Sequence, residues 1–289
     1  MLLSILALLW IDSLGAIDEG SLAISQNATV YFSANHEKKS GGARIWMLDK
    51  ANQPVLSFDG DQWADVIILA KDPNGVIYAA GSRDFEAWGE YEVKIWKKTG
   101  DWELVCDVFR RLSYCDAFAV DQKGAFYWSQ GNGVLKRSPD GAFSIIAGDG
   151  IPGFRDGSKR AARFKFIHDF SWHKNTLELL DENKLRILTL DGKVSTLIKD
   201  LPHSPHSMAL TIGSTEQGQK RIALIGNTIY ELAKAPKKMY QASKGKTILA
   251  IALAEAGLFI LETTLPKRTL QLSIMPDDKE IKILATVDK

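Results

Sequence analysis

The chain has 289 residues, of which 45% are hydrophobic and 25% are charged, the composition of an ordinary globular protein. Its formal net charge is only +1, so no overall electrostatic field attracts nucleic acid or an anionic membrane surface. Nucleic acid is not expected as a partner, because binding to it needs a clearly basic surface.

The N-terminal segment is apolar and short. Residues 1–11 read MLLSILALLWI without alternation, and the small and polar residues DSLGA follow. This pattern resembles a secretory signal peptide over residues 1–16, although no Lys or Arg precedes the apolar run. The run is too short to span a bilayer as a helix, so we expect no membrane span after its removal. We predict a secreted or periplasmic protein, with a buried first strand or a cytosolic N-terminus as the alternative.

From residue 17 onward, short apolar runs rich in Val, Ile, Tyr, Phe and Trp alternate with polar turns, which indicates an all-β chain. Two interleaved sets of turns, among them DPNG at 72–75 and SPDG at 138–141, each recur roughly every 40–50 residues, and this period with four strands per repeat is typical of β-propeller blades. We therefore predict one domain, a six-bladed β-propeller of four-stranded antiparallel blades. The predicted blades cover about residues 17–60, 61–109, 110–149, 150–200, 201–243 and 244–289.

Two features matter only in an exported protein. Cys106 and Cys115 either form a disulfide that closes a short loop or remain two separate buried thiols, and the sequence leaves both open. Asn27 begins an N-A-T sequon, which matters only if the source glycosylates its proteins.

The segment GDGIPG at 148–153 has the G-x-G-x-x-G spacing of a dinucleotide-binding turn. Pro152 interrupts that pattern, no amphipathic helix follows, and the chain shows no βαβ alternation. We interpret Gly148, Gly150 and Gly153 instead as positions where positive φ lets the chain pass from one blade to the next.

The region from about 147 to 198 resembles an NHL repeat. It combines a glycine-rich start, a DG turn, ARF, an inner strand, the step D-x-N-x-x-R and a second DG hairpin. The matching residues are Asp156, Gly157, Arg163, Phe164, Asp181, Asn183, Arg186, Asp191 and Gly192. The resemblance implies a six-bladed NHL-type propeller over residues 17–289. We expect Phe154 and Phe164 to pack between blades, and Arg163 to pair with a nearby carboxylate.

One face of such a propeller carries the candidate functional residues. In a four-stranded blade, the loop between the second and third strands lies on the same side as the connection between blades, and we call this side the inter-blade face. The candidate ligand or partner residues on it are Asp65, Trp88, Tyr91, Asp116, His168, Asp169, His203 and His206. Aromatic and charged residues on a long loop, GSRDFEAWGEYE at 81–92, favour recognition of a partner.

Two functions follow from this face. The first is a non-catalytic module that binds or scaffolds a protein or small-molecule ligand, for which we expect no cofactor. The alternative is a metal-dependent lactonase, hydrolase or lyase with Ca²⁺ or Zn²⁺ on the central axis. Its candidate ligands are Asp65, Asp116, Asp169 and His206. The alternative for these aspartates is that they cap turns and bond main-chain amides, and the chain has no G-x-S-x-G motif for nucleophilic catalysis.

Overall fold

The computed structural model describes residues 20–34, 44–59, 66–85, 90–111, 117–202, 208–215, 218–233, 235–264, 269–276 and 280–287. These residues form 25 strands and a 3₁₀ turn at Lys159–Ala161. Nowhere in these ranges is there a helix of the length and apolarity needed to cross a bilayer.

The first three blades are antiparallel sheets whose four strands lie side by side in chain order. Blade one contains β1 (Gly20–Ile24), β2 (Val30–Ala34), β3 (Arg44–Leu48) and β4 (Pro54–Asp59). Blade two contains β5 (Val66–Lys71), β6 (Ile77–Phe85), β7 (Glu90–Lys98) and β8 (Trp102–Arg111). Blade three contains β9 (Phe118–Val120), β10 (Phe126–Gln130), β11 (Gly133–Arg137) and β12 (Phe143–Ala147).

Blade four has an additional strand at its outer edge. The two-residue β13 (Gly157–Ser158) pairs with the outermost strand of the sheet β14 (Ile167–His173), β15 (Thr176–Asp181), β16 (Lys184–Thr189) and β17 (Lys193–Ile198). Blade five contains β18 (Met208–Thr215), β19 (Gly218–Ile225), β20 (Thr228–Leu232) and β21 (Pro236–Gln241). Blade six contains β22 (Lys246–Ala254), β23 (Gly257–Thr264), β24 (Thr269–Met275) and β25 (Lys282–Val287).

The six blades close into a ring. Their innermost strands touch in the order β1, β5, β9, β14, β18 and β22, and β22 lies against β1. The predicted six-bladed β-propeller is therefore confirmed. Each blade is built from one continuous stretch of chain, so the ring closes by packing of the last blade against the first.

The apolar core lies between the blades. Six clusters of buried side chains each join two neighbouring blades, and one of them contains Phe32 of blade one and Leu261 of blade six. Burial of these side chains is the main force that holds the ring closed.

Repeated aspartates shape the turns between first and second strands. Asp72 accepts hydrogen bonds from the N–H groups of Asn74 and Val76, both at 2.9 Å. Asp121 makes the same pair of bonds, also at 2.9 Å, in the next blade. An Asp side chain that bonds main-chain N–H groups ahead of it stabilises this kind of turn. The recurring turn signal in the sequence thus has a common physical cause.

Candidate functional site

Two ends of the ring must be distinguished. The inter-blade face carries the hairpins between second and third strands, such as the turn at Glu182 between β15 and β16. The opposite side, which we call the turn face, carries the turns between first and second strands, such as those at Asp121 and Lys174. Each candidate site belongs to one of these two faces.

Blade two projects beyond its neighbour on the inter-blade face. The second strands of blades two and three both begin five residues after the turn aspartate, at Ile77 and Phe126. The hairpin β10–β11 ends after five residue pairs, at Gln130 and Gly133, whereas β6–β7 continues through nine pairs. Four additional pairs extend the hairpin by about 13 Å at 3.3 Å per residue.

The projecting hairpin carries part of the predicted recognition surface. Tyr91 lies in β7 at the register position opposite Asp84, near the end of the ladder. The outer strand β8 extends as far as the hairpin does, since Arg110 pairs with Glu92 and Arg111 pairs with Tyr91. Five of the predicted inter-blade residues lie outside the described residues: Asp65, Trp88, Asp116, His203 and His206.

Asp169 joins the innermost strands of blades four and five. Its Oδ1 accepts a hydrogen bond from the N–H of Phe170, and its Oδ2 accepts one from the N–H of Leu210, both at 2.7 Å. Burial raises the pKa of Asp169 to about 7, although the two hydrogen bonds act in the opposite direction. The arrangement is that of a carboxylate that secures main chain, the structural alternative considered from the sequence.

His168 lies beside Asp169 at an irregularity in the ladder. The register between β14 and β15 shifts between Ile167 and Asp169, so His168 has no partner position on β15. The imidazole packs edge-on against Phe166, with ring centroids 4.6 Å apart. Because of this bulge, His168 does not follow the side-chain alternation of a regular strand.

The predicted metal ligands are not brought together by the described part of the chain. Within those ranges, no three His, Cys, Asp or Glu side chains converge as metal ligands do. Asp169 is the only one of the four candidates in those ranges, and each of its oxygens already accepts an N–H. Asp169 and its described neighbours therefore do not fit a Ca²⁺ or Zn²⁺ centre.

The glycine-rich segment is folded onto the protein rather than around a ligand. Gly148 and Gly150 have φ values of 101° and 82°, the left-handed conformation that glycine adopts readily. The N–H of Gly148 donates to the carbonyl oxygen of Lys159, and the N–H of Gly153 donates to that of Phe164, both at 3.1 Å. These amides are occupied by the chain itself, unlike the free N–H groups of a phosphate-binding turn.

Asp149 fastens the same segment by its side chain. Its Oδ2 accepts a hydrogen bond from Arg163 Nε at 2.7 Å, and this bond lowers the pKa of Asp149. Its Oδ1 accepts the N–H of Ile151 at 3.0 Å. Arg163 therefore has the carboxylate partner that we expected.

The two phenylalanines of the segment differ. Phe164 is fully buried in the cluster between blades three and four. Phe154 is 40% exposed and lies under the ammonium group of Lys184, with Nζ 4.3 Å from its ring centre. The expectation that Phe154 packs between blades was wrong, because its side chain lies on the protein surface against Lys184.

Arg186 lies at the centre of the segment from about 147 to 198. The side chain is fully buried, and Nη1 donates to Oδ2 of Asp181 at 2.7 Å. Nη1 also donates to the carbonyl oxygen of Arg163 at 2.6 Å, while Nη2 donates to the carbonyl oxygen of Arg155 at 2.8 Å and to Oδ1 of Asp156 at 2.9 Å. The face of the Phe164 ring lies 4.9 Å from the guanidinium carbon. One cation thus holds the connection between blades three and four onto blade four.

The remaining motif residues complete this arrangement. Oδ1 of Asp181 accepts the N–H groups of Lys165 and Phe166 at 2.8 and 2.9 Å. The carbonyl oxygen of Asn183 accepts the N–H of Leu201 at 2.8 Å, which anchors the chain as it leaves blade four. Gly157 lies in β13, the strand that these contacts hold at the blade edge.

One of the two cysteines, Cys106, lies in the described residues. Cys106 is buried in β8 within the cluster between blades two and three. Cys115 lies outside the described residues. The disulfide stays a prediction, as does modification of Asn27, which is exposed in the turn between β1 and β2.

A polar cluster between blades four and five was missed by the sequence analysis. Glu178 is fully buried and accepts hydrogen bonds from Arg221 Nε at 2.7 Å and Arg221 Nη2 at 2.8 Å. Nδ1 of His173 lies 2.6 Å from Oε1 of Glu178. The glutamate raises the pKa of the Arg221 guanidinium. Arg221 is 43 residues from Glu178, and no local motif signals a contact at that separation.

Comparison with known proteins supports the fold and leaves the family open. No family model matches the chain, and no curated protein sequence matches it. The chain resembles the solved structure of the Aleuria aurantia lectin in complex with Fucα1-6GlcNAc, with 12% identity, a TM-score of 0.61 and coverage of 94% of this chain and 96% of the lectin. It also resembles an α-L-arabinofuranosidase from Fusarium graminearum, with 11% identity, a TM-score of 0.58 and coverage of 89% and 92%.

A third structural relative is virginiamycin B lyase from Staphylococcus aureus. It has 14% identity and a TM-score of 0.53 over 92% of this chain and 84% of the lyase. At such low identity these likenesses establish the fold alone, since one propeller fold supports binding proteins and enzymes of several kinds. The chain is therefore a six-bladed β-propeller whose function must be argued from its own residues.

Proposed function

We propose that this protein is an exported NHL-type β-propeller that acts as a non-catalytic binding or scaffolding module. Its ligand is a protein or a small molecule, held on the inter-blade face. The observation that carries this proposal is the projection of the β6–β7 hairpin about 13 Å beyond the corresponding hairpin of blade three. A rigid ring that presents a projecting aromatic hairpin suits recognition, because the scaffold fixes the position of the loop.

The composition of the hairpin supports recognition of a partner. Residues 84–91 contain Phe85, Trp88 and Tyr91 together with three acidic residues. Aromatic side chains supply most of the energy at many binding interfaces, while charged neighbours select the partner. Asp169 supports a non-catalytic role, because both of its oxygens accept main-chain N–H groups.

The test is a double substitution at the hairpin, Trp88→Ala with Tyr91→Ala. The protein is used as bait in extracellular or periplasmic extract of its source, and recovered partners are quantified for wild type and variant. We expect recovery to fall at least about tenfold, as loss of two interface aromatics commonly causes, with the melting temperature unchanged. Phe143→Ala is the matched control, because Phe143 is a 54% exposed aromatic on the outer edge of blade three. Equal loss in both variants, or no loss in either, contradicts the proposal.

A metal-dependent enzyme is the second candidate, with Asp65, Asp116 and His206 as its remaining candidate ligands, all of which lie outside the described residues. Elemental analysis of purified protein separates the two functions. One Ca or Zn per chain that is lost in Asp116→Ala would favour the enzyme, whereas folded protein without stoichiometric metal would exclude it.

Export is tested independently. Sequencing the N-terminus of protein recovered from the culture medium or periplasm should place it near Ala16. A retained Met1 on cytosolic protein would contradict export.

A further inference from the structure

The turn face contains a pocket that the sequence analysis did not anticipate. It lies where blades three and four meet, with Pro73 of the blade-two turn at its margin, and has a volume of about 100 Å³. The turn of blade three at Gln122 forms one side, and the turn of blade four at Asn175 forms the other. Leu190, which is 44% exposed, contributes an apolar wall.

The volume sets the size of the ligand. One enclosed water needs roughly 10–15 Å³ of such space, so the pocket holds about seven to ten waters. Drug-sized ligands occupy about 300–1,000 Å³. The pocket therefore accepts a molecule of about one sugar ring and excludes a folded peptide.

Trp172 supplies an aromatic wall whose position is fixed. Its ring meets Tyr127 edge-on at 5.5 Å and an interplanar angle of 84°. The hydroxyl of Tyr127 donates to Oδ2 of Asp121 at 3.0 Å, and Tyr127 is fully buried. Trp172 is thus supported from behind by a packed and hydrogen-bonded side chain. A fixed indole is a suitable surface for the apolar C–H face of a sugar ring.

The charge of the pocket is positive. Lys123, Lys136 and Lys174 line it, and within the described ranges none of their ammonium groups forms an ion pair. Nζ of Lys136 lies 5.3 Å above the Tyr127 ring. Asp121 is the one carboxylate of the lining, and it is engaged by the N–H groups of Lys123 and Ala125 as well as by Tyr127. Three cations against one engaged carboxylate favour an anionic ligand.

We propose that this pocket binds an acidic monosaccharide, a single sugar ring that carries a carboxylate. The C–H face of the ring packs on Trp172, its hydroxyl groups bond the amides of Gln122 and Asn175, and its carboxylate lies among the lysines. Neutral amides beside an aromatic ring suit hydroxyl groups, while the ammonium groups suit the acid. The site lies on the turn face, so it goes beyond the proposed function and does not depend on it.

The test is calorimetric titration of the full-length protein with sodium glucuronate. Glucose serves as the ring without a charge, and sodium sulfate serves as a charge without the ring. We expect glucuronate to bind at least about tenfold more tightly than either, because each charged hydrogen bond adds to the contact with the ring. Three results would overturn the proposal: glucose binds as tightly as glucuronate, sulfate binds more tightly, or glucuronate does not bind. Glucuronate is tested up to 10-fold above a Kd of about 1 mM, which is weak but measurable.

Substitutions locate the site. Lys123 and Lys174 are exposed, so Lys123→Glu with Lys174→Glu should leave folding intact and weaken glucuronate binding at least about tenfold. The matched control reverses two exposed lysines elsewhere on the ring, Lys244→Glu with Lys282→Glu. Equal weakening in the control would overturn the assignment. Tyr91→Ala should leave glucuronate binding unchanged, so failure of the hairpin proposal and failure of this one are distinguishable.

Discussion

Nη2 of Arg186 donates a hydrogen bond to Oδ1 of Asp156 at 2.9 Å and joins the third strand of blade four to the connection that precedes it. Asp156 also accepts the N–H and the hydroxyl of Thr196 on β17, at 2.9 and 2.8 Å. The pair therefore bridges two strands and the loop between blades three and four. Burying a guanidinium without its oxygen partners costs much free energy, and Arg186 is fully buried with four such partners. This contact therefore holds the connection between blades three and four in place.

Removal of Arg186 should destabilise the protein strongly. Arg186→Ala leaves the buried Asp181 carboxylate without its cation, and we expect a loss of about 3–5 kcal/mol in the free energy of unfolding. Arg160 lies in the same connection with an exposed side chain, so Arg160→Ala should change stability by less than about 0.5 kcal/mol. Urea unfolding of both variants measures the difference. Similar midpoints for the two would show that Arg186 does not hold the loop.

Asp169 should make stability depend on pH. Its pKa is about 7 in the folded protein and about 3.9 in the unfolded chain, so the folded state binds more protons between these values. Stability should therefore fall as pH rises from about 4 to 7, and the loss should be complete above the folded pKa.

The Asp169→Asn variant isolates this effect. Urea unfolding at pH 5, 6, 7 and 8 should show a smaller decline in the variant than in wild type, since Asn does not titrate. The difference between the two curves removes the contribution of every other titrating group. Curves that stay parallel over this range would refute the assignment to Asp169.

Alanine substitutions at three glycines distinguish the stability cost of backbone strain from that of steric contact. A Cβ at Gly148 would lie 2.5 Å from the carbonyl oxygen of Asn132, in addition to the positive φ, so Gly148→Ala should cost well over about 1 kcal/mol. Gly150 has positive φ with open space around it, and Gly150→Ala should cost about 1–2 kcal/mol.

Gly100 is the reference for this series. It has neither positive φ nor a neighbour within 4 Å of the added Cβ, so Gly100→Ala should be nearly neutral. Thermal unfolding ranks the three variants. Any other order would mean that the connection relaxes around Gly148.

The bond between Glu178 and Arg221 should couple blades four and five. Arg221→Met leaves the buried Glu178 charged without its two guanidinium hydrogen bonds. We expect a loss of about 2–3 kcal/mol, below the usual figure for a buried pair because the Arg221 side chain is 27% exposed.

A second substitution tests the cause of that loss. Nδ1 of His173 still lies beside Glu178, so its charge is only partly matched; Glu178→Gln in the Arg221→Met background removes that charge and should recover part of the stability. Urea unfolding of the single and double variants measures this coupling. A double variant no more stable than Arg221→Met would show that lost packing, rather than charge, is responsible.

The sequence by itself determined the fold class, because its signals are local. Alternating apolar runs specify strands, and turn aspartates such as Asp72 and Asp121 bond main chain within four residues, so their rhythm predicts blades. The D-x-N-x-x-R step likewise contains Asp181 and Arg186, which lie five residues apart and form an ion pair at 2.7 Å. Interactions over such short separations leave a pattern that can be read along the chain.

Only the tertiary structure decided which distant residues meet. Trp172 and Lys123 line one pocket, and Glu178 meets Arg221, because neighbouring blades pack side by side. No spacing rule relates residues on different blades, since their separation depends on the lengths of the strands and loops between them. Asp169 was singled out for a central metal, and its Oδ2 instead accepts the N–H of Leu210 on the next blade. The ring closes through packing across six interfaces, and it is this packing that determines what each side chain contacts.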